Sequence, residues 1–131
     1  MKLLFDTHIW LWSLADPDRL SSRVRKELGT PANELWLSPV SIWEILYLDA
    51  KKKIKLPAPA AEWLADAMSA VPAKEAPFTH DVALETSRIF LPHRDPADRF
   101  LVATANVFGL TLVTADKVLI EAKACAILAS R

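Results

Sequence analysis

Glycine is almost missing from this chain. Its two glycines, Gly29 and Gly109, are too few and too far apart to build either glycine-rich phosphate cradle, G-x-G-x-x-G or the loop that ends in Gly-Lys-Ser/Thr. Nucleotide chemistry that depends on those cradles is excluded. Cysteine is scarcer still, since Cys125 stands alone, which excludes an internal disulfide and a Cys-rich zinc site and fits a reducing cytoplasm. His8, His80 and His93 lack the H-E-x-x-H spacing, so zinc is not expected. No charge of either sign is in excess: 16 Lys and Arg balance 16 Asp and Glu, so any polyanion must bind a local patch rather than follow a global field. Long hydrophobic runs are also lacking. Asp6 interrupts the opening apolar run too early for a secretion signal. The uncharged stretch 100–115 carries Asn106, Gly109 and three threonines and falls short of the roughly 20 apolar residues of a spanning helix. It reads as buried core, with no membrane association.

What is present is a globular composition, 52% hydrophobic and 24% charged, in a length of 131 residues that suits a single domain over 1–131. Short apolar runs alternate with longer helical patterns, which predicts an α/β fold with a central, mostly parallel sheet flanked by helices. Strands are expected at 2–5, 35–37 and 111–114, with a weak candidate at 75–78 and an edge strand at 126–128. A largely buried helix covers 7–14, and a second runs from Ser21 or Ser22 to Leu28, with Gly29 as its stop signal. Ser38-Pro39 opens the helix that carries Glu44, and Lys51, Lys52, Lys53 and Lys55 form its basic end, read first as a solvated face. Helices are further expected at 60–70, with Trp63, Leu64, Ala67 and Met68 on one stripe, and from Thr79 as far as Pro92. Others follow across 100–108 and 117–122.

In an open parallel sheet, ligands bind outside the carboxyl ends of the strands. Asp6 ends the first strand, Glu44 lies early in the helix after the second, Asp98 opens a helix, and Asp116 follows the 111–114 strand. Each acid has an ordinary explanation. Asp6 and Asp116 fit helix caps, Asp98 a favoured first-turn acid, and Glu44 a capping box with Ser41, although Ser38-Pro39 is an equally good helix start. Asp95 before Pro96 reads as a cap. Convergence favours a site, because four independent caps need not share one edge. Clustered carboxylates also require a compensating cation, and a hard divalent ion such as Mg²⁺ or Mn²⁺ suits oxygen ligands.

The strings 6–12 (DTHIWLW), 41–44 (SIWE), 93–99 (HRDPADR) and 112–116 (LVTAD) together strongly resemble a PIN domain of the VapC toxin type, over nearly the whole chain. The resemblance implies a PIN-like three-layer nuclease fold and Mg²⁺- or Mn²⁺-dependent endoribonuclease activity. It also implies pairing with a VapB-type antitoxin in a toxin-antitoxin system, and a homodimer. Carried over by position, the family's acids fall on Asp6, Glu44, Asp98 and Asp116 as catalytic and metal-binding residues, with Thr114 as a hydroxyl neighbour in the substrate pocket. The end of the chain, 124–131, departs from the aromatic-containing final strand common in the family.

A neutral chain that binds RNA needs a basic rim, for which Arg94, Arg99, His93 and the lysines at 51–55 are the candidates. Arg99 fits equally a role in positioning Asp98. His8 is expected as a partly buried structural histidine, and the five tryptophans as packing residues, with apolar surface near the first helix or the Trp63 helix covered by the antitoxin or a second copy. Two other classes compete: a receiver-like Mg²⁺-binding signalling domain, disfavoured because Asp49 lies inside a helix, and a non-catalytic PIN-like binding module that accepts an arginine from its partner.

Overall fold

Short runs spaced along the chain, apolar in all but the two-residue edge strand, pair side by side as parallel strands. In a computed structural model, which describes residues 1–92 and 95–131, they are β1 (Lys2–Phe5), β2 (Glu34–Leu37), β3 (Lys74–Glu75), β4 (Thr111–Thr114) and β5 (Ile127–Ala129). They form one five-stranded sheet of order β3-β2-β1-β4-β5, with every neighbouring pair parallel. β1 is central, Leu4 standing opposite Trp36 on one side and Leu112 on the other. The ladder continues past the strand: the Asp6 N–H donates to the Val113 carbonyl at 3.0 Å, and the Ser130 N–H to the Thr114 carbonyl at 2.8 Å.

Successive strand residues face opposite ways, and the sheet is apolar on both faces. Leu3, Phe5, Val113 and Leu128 join one core with side chains from α1 (Thr7–Ala15), α2 (Ser22–Leu28), α3 (Pro39–Ala50) and α4 (Ala60–Ala70). Leu4 and Leu112 join the other with α5 (His80–Glu85), α6 (Pro96–Phe108) and α7 (Lys117–Ala122). The result is the expected three-layer α/β arrangement. Among the described residues no helix is long and apolar enough to cross a membrane.

Side-chain oxygens start most helices at the expected places. Ser21 accepts from Val24 N, Ser38 from Val40 N, Thr79 from Val82 N, Asp95 from Ala97 N, and Asp116 from Val118 N and Leu119 N. Ser38 rather than Ser41 therefore caps α3, which removes the capping-box explanation of Glu44. Gly109 ends α6 in the left-handed region, with φ 64°, whereas Gly29 has φ −88° and needs no glycine, so Pro31 is the stronger barrier to α2.

Several expectations change. The helix from Thr79 stops at Glu85, followed by a 3₁₀ turn at Thr86–Arg88. The Thr86 hydroxyl donates to the Ala83 carbonyl at 2.6 Å and Ser87 to Leu84 at 2.9 Å, and Arg99 donates to the Thr86 and Ile89 carbonyls, so these side chains take over carbonyls that helix continuation would use. Phe90 is left 86% exposed. The strand expected at 75–78 is only the pair Lys74–Glu75, and the final strand sits one residue later than read. Helix α6 starts at the expected Asp95-Pro96 entry, so it takes in Asp98 and Arg99 ahead of the apolar run. Trp10 is fully buried, but Trp43 is 54% exposed and stacks on Tyr47, and Met68 leaves the α4 stripe at 46% exposed.

At Gly109 a Cβ would meet nothing within 4 Å, so replacement by alanine costs backbone strain alone. Gly109→Ala should lower the unfolding free energy by about 1–2 kcal/mol, read from a shifted urea midpoint at unchanged slope.

Candidate active site

Because the strands are parallel, their carboxyl ends and the helices that follow open on one edge. There Asp6, Glu44, Asp95, Asp98 and Asp116 line one cleft of about 320 Å³ together with His8, Ile9, Trp12 and Ala115. The four acids read from the sequence are thus brought together. Asp6 follows β1 and caps α1, accepting from Thr7 N at 2.8 Å through Oδ1. Glu44 projects from the second turn of α3. Asp98 sits in the first turn of α6 and Asp116 caps α7. Capping and cleft lining coexist, since a carboxylate that accepts from one backbone N–H retains other lone pairs.

The electrostatics follow from crowding. Asp6 and Asp98 are each only 8% exposed. Burial pushes the Asp98 carboxyl up to about 8, and the charges of Asp6, Asp95, Asp116 and Glu44 push the same way. Burial also raises Asp6, against the opposing hydrogen bond from Thr114, and raises Glu44, against a hydrogen bond from Thr7. The positive ends of the α1 and α6 dipoles offset part of this repulsion.

Thr114 joins two of the acids. Its hydroxyl donates to Asp6 Oδ2 at 2.6 Å and accepts from Asp116 N at 3.0 Å. It is fully buried, so the expected substrate contact is replaced by a positioning role. Arg99 changes likewise: its guanidinium donates to the Ile89 carbonyl at 2.7 Å and the Thr86 carbonyl at 3.2 Å, tying the 86–89 turn to α6. These hydrogen bonds, both from one guanidinium nitrogen, give it a structural task beside the phosphate contact expected. Arg94 and His93 lie outside the described residues.

Sequence reasoning missed His8, which is exposed, lines the cleft, and eases ionisation of Asp6 and Glu44. The available signal was its place two residues past a strand-end acid, on a helix whose buried face falls at Ile9, Trp10 and Leu11. Trp12 is shared with a larger, mainly apolar groove of about 740 Å³ between α1, the 53–57 segment and α4. Arg19, Lys53 and Lys55 rim that groove, and the Arg19 guanidinium stands 4.2 Å from the Trp12 ring centre.

The donor set is oxygen-rich, which suits a hard divalent cation. Among the described residues no three His, Cys, Asp or Glu side chains are already drawn around one point closely enough to hold an ion by themselves.

The family model of the PIN domain matches residues 3–124. The chain belongs to the PIN-domain family. This PIN domain is 33% identical over 118 residues to Ribonuclease VapC22 of Mycobacterium tuberculosis (strain ATCC 25618 / H37Rv), an alignment that covers 88% of this chain and 87% of the relative. Its fold matches VapBC2 from Rickettsia felis, solved with a promoter DNA fragment, at TM-score 0.74, 16% identity and full coverage of both chains. It also matches DNA-bound VapBC from Salmonella typhimurium at TM-score 0.72 and 15% identity, covering 98% of each chain.

The raised Asp98 carboxyl carries a pH signature. An acid that ionises harder in the folded state than in the unfolded state binds an extra proton when folded, so stability falls as pH rises from about 4 to about 8. Thermal melting of metal-free protein should show that decline. Asp98→Asn should shrink it to the part that Asp6 and Glu44 contribute, without loss of folding, and millimolar Mn²⁺ should raise the melting temperature of the original chain most at the alkaline end.

Proposed function

We propose that this chain is a VapC-type endoribonuclease toxin of a toxin-antitoxin pair, hydrolysing RNA phosphodiesters with a divalent metal in the cleft of Asp6, Glu44, Asp98 and Asp116. The observation that carries the reading is the convergence of these acids in one cleft of a chain whose curated relative is a ribonuclease. Asp6 and Asp98, the most buried pair, hold the ion directly or through water, with Glu44 and Asp116 completing the site. Mg²⁺ or Mn²⁺ bound there supplies charge stabilisation at the phosphoryl oxygen and a more acidic water.

The side chains do the rest. Thr114 keeps Asp6 and Asp116 in fixed relation, so both face the reacting phosphate without reorganisation at the moment of reaction. Glu44 and Asp116 are the acids available to accept a proton from the attacking water. His8 at the lip offsets negative charge as a phosphate approaches. With Arg99 engaged on carbonyls, the basic contact to the RNA backbone falls to Arg19, Lys53 and Lys55 beside Trp12.

The solved relatives are toxin-antitoxin complexes, and a VapB-type antitoxin is the partner assigned here. The groove along α1 and α4 is the apolar surface that the sequence reserves for that partner or for a second copy. A cytoplasmic location and a homodimer complete the reading.

Total cellular RNA incubated with purified, antitoxin-free protein should be cut at a small set of mapped sites in Mg²⁺ or Mn²⁺ and left intact in EDTA. Asp98→Asn should lose at least about a hundredfold in rate. Cutting that persists in EDTA, or survives Asp98→Asn, overturns the reading. Binding of uncleaved RNA to the Asp98→Asn protein should fall with salt, and Lys53→Gln with Lys55→Gln should reduce the log–log slope by about 0.7 for each phosphate that is no longer neutralised.

A further inference from the structure

His8 and Trp12 line both the acid cleft and the larger groove, so a strand that leaves the cleft over this lip passes directly from one to the other. Arg19 meets it there. The 3₁₀ turn Pro17–Arg19 folds the chain back after α1, and Leu20, buried in the core, anchors the turn. Arg19 itself is exposed, with its guanidinium 4.2 Å from the Trp12 ring centre, and the His8 and Trp12 ring centres are 6.0 Å apart. Among the described residues the Arg19 guanidinium forms no ion pair or hydrogen bond, whereas Arg25 pairs with Asp18, Arg88 with Glu85, and Arg99 bonds two carbonyls. The other cations over rings among the described residues are lysines, Lys51 at 5.8 Å from Tyr47 and Lys74 at 5.5 Å from Trp36, and neither lines the cleft.

A guanidinium is planar and weakly hydrated. With one face on an indole and the other in solvent, it extends the ring by one layer and offers a flat cationic surface to a nucleobase, while its N–H groups at the edge stay available to a phosphate. Lysine has no such plane. Lys53 and Lys55 rim the same groove and supply point charges instead. A flat cationic face beside point charges matches a single strand of RNA, whose bases stack and whose phosphates need neutralising. We infer that Trp12 and Arg19 form a nucleobase platform: an unpaired base next to the cleaved phosphate stacks on the outer face of the guanidinium, backed by the indole. They are specificity-determining residues, reading the strand as it leaves the cleft. The inference rests on the RNA-cleaving reading of the cleft and concerns only the end of the groove at His8 and Trp12.

The test is binding read by fluorescence anisotropy with two labelled probes, an oligouridylate of about ten nucleotides and a sugar-phosphate chain of equal length that lacks bases. One arm uses Asp98→Asn protein in Mg²⁺ and the other the original chain in EDTA, so that the reading does not depend on cutting. In both arms the oligouridylate should bind at least about fivefold more tightly than the baseless chain, the range for one base stacked on one aromatic side chain. Arg19→Lys keeps the charge and loses the plane, so it should bring that preference within about twofold at an unchanged salt slope. Trp12→Leu should do the same, and Trp12→Phe should keep most of the preference. Arg19→Lys carries the test if Trp12→Leu does not fold, because residue 19 is exposed. Equal binding of the two probes, or binding of neither, overturns the platform and leaves the lip to a protein partner. A preference that survives Arg19→Lys overturns it as well. A base preference that depends on Arg19 in a chain that cuts no RNA upholds the platform and overturns the nuclease reading, whereas equal binding of the probes by a chain that cuts RNA overturns the platform alone.

Discussion

All five strands run the same way, so every strand end that carries an acid opens on the same edge. Carboxylates from β1, α3, α6 and the end of β4 are thereby driven together against their mutual repulsion. The raised Asp98 carboxyl records first its own burial and then that repulsion. Two apolar cores, one on each face of the sheet, hold the edge in place, so packing energy far from the cleft maintains an arrangement that its own charges oppose. A divalent cation would resolve the conflict by giving the oxygens a charge to share.

The acids do not sit at this edge as bare ligands. Asp6 and Asp116 each start a helix, and Asp98 lies in a first turn behind the Asp95 cap. A helix start offers backbone N–H groups that fix a carboxylate's rotamer and a partial positive charge that moderates its burial. The same hydrogen bonds serve folding and site geometry, which is why a cap and a catalytic acid are hard to tell apart from sequence alone.

Much of this was legible before any coordinates. Apolar tetrads at 2–5 and 111–114 and the cap-then-proline entries at Ser38-Pro39 and Asp95-Pro96 are local signals, and local signals place elements well. The four acids were readable because each follows such a signal. What escaped depends on interactions between residues distant in the chain. Thr86 and Ser87 look like tolerable helix residues until Arg99, more than ten positions on, draws off the carbonyls around them. The burial of Thr114 and the hydrogen bond between Thr7 and Ser41 require the packed sheet and helices, and no periodicity reveals them. His8 misleads because a histidine between apolar neighbours suggests a core face, whereas that face turns away at residue 8.

The backbone at Asp6 is laddered to β4 through Val113, and the residue after β5 is laddered to Thr114. The Asp6 and Asp116 side of the acidic edge is therefore continuous with the hydrogen-bonded ladder of the central strands β1 and β4, backbone of the kind that opens late in unfolding. Local melting cannot silence such a site while sparing the rest of the molecule. A body that covered the cleft would silence the site and leave the scaffold intact, and its removal would leave the acids already assembled.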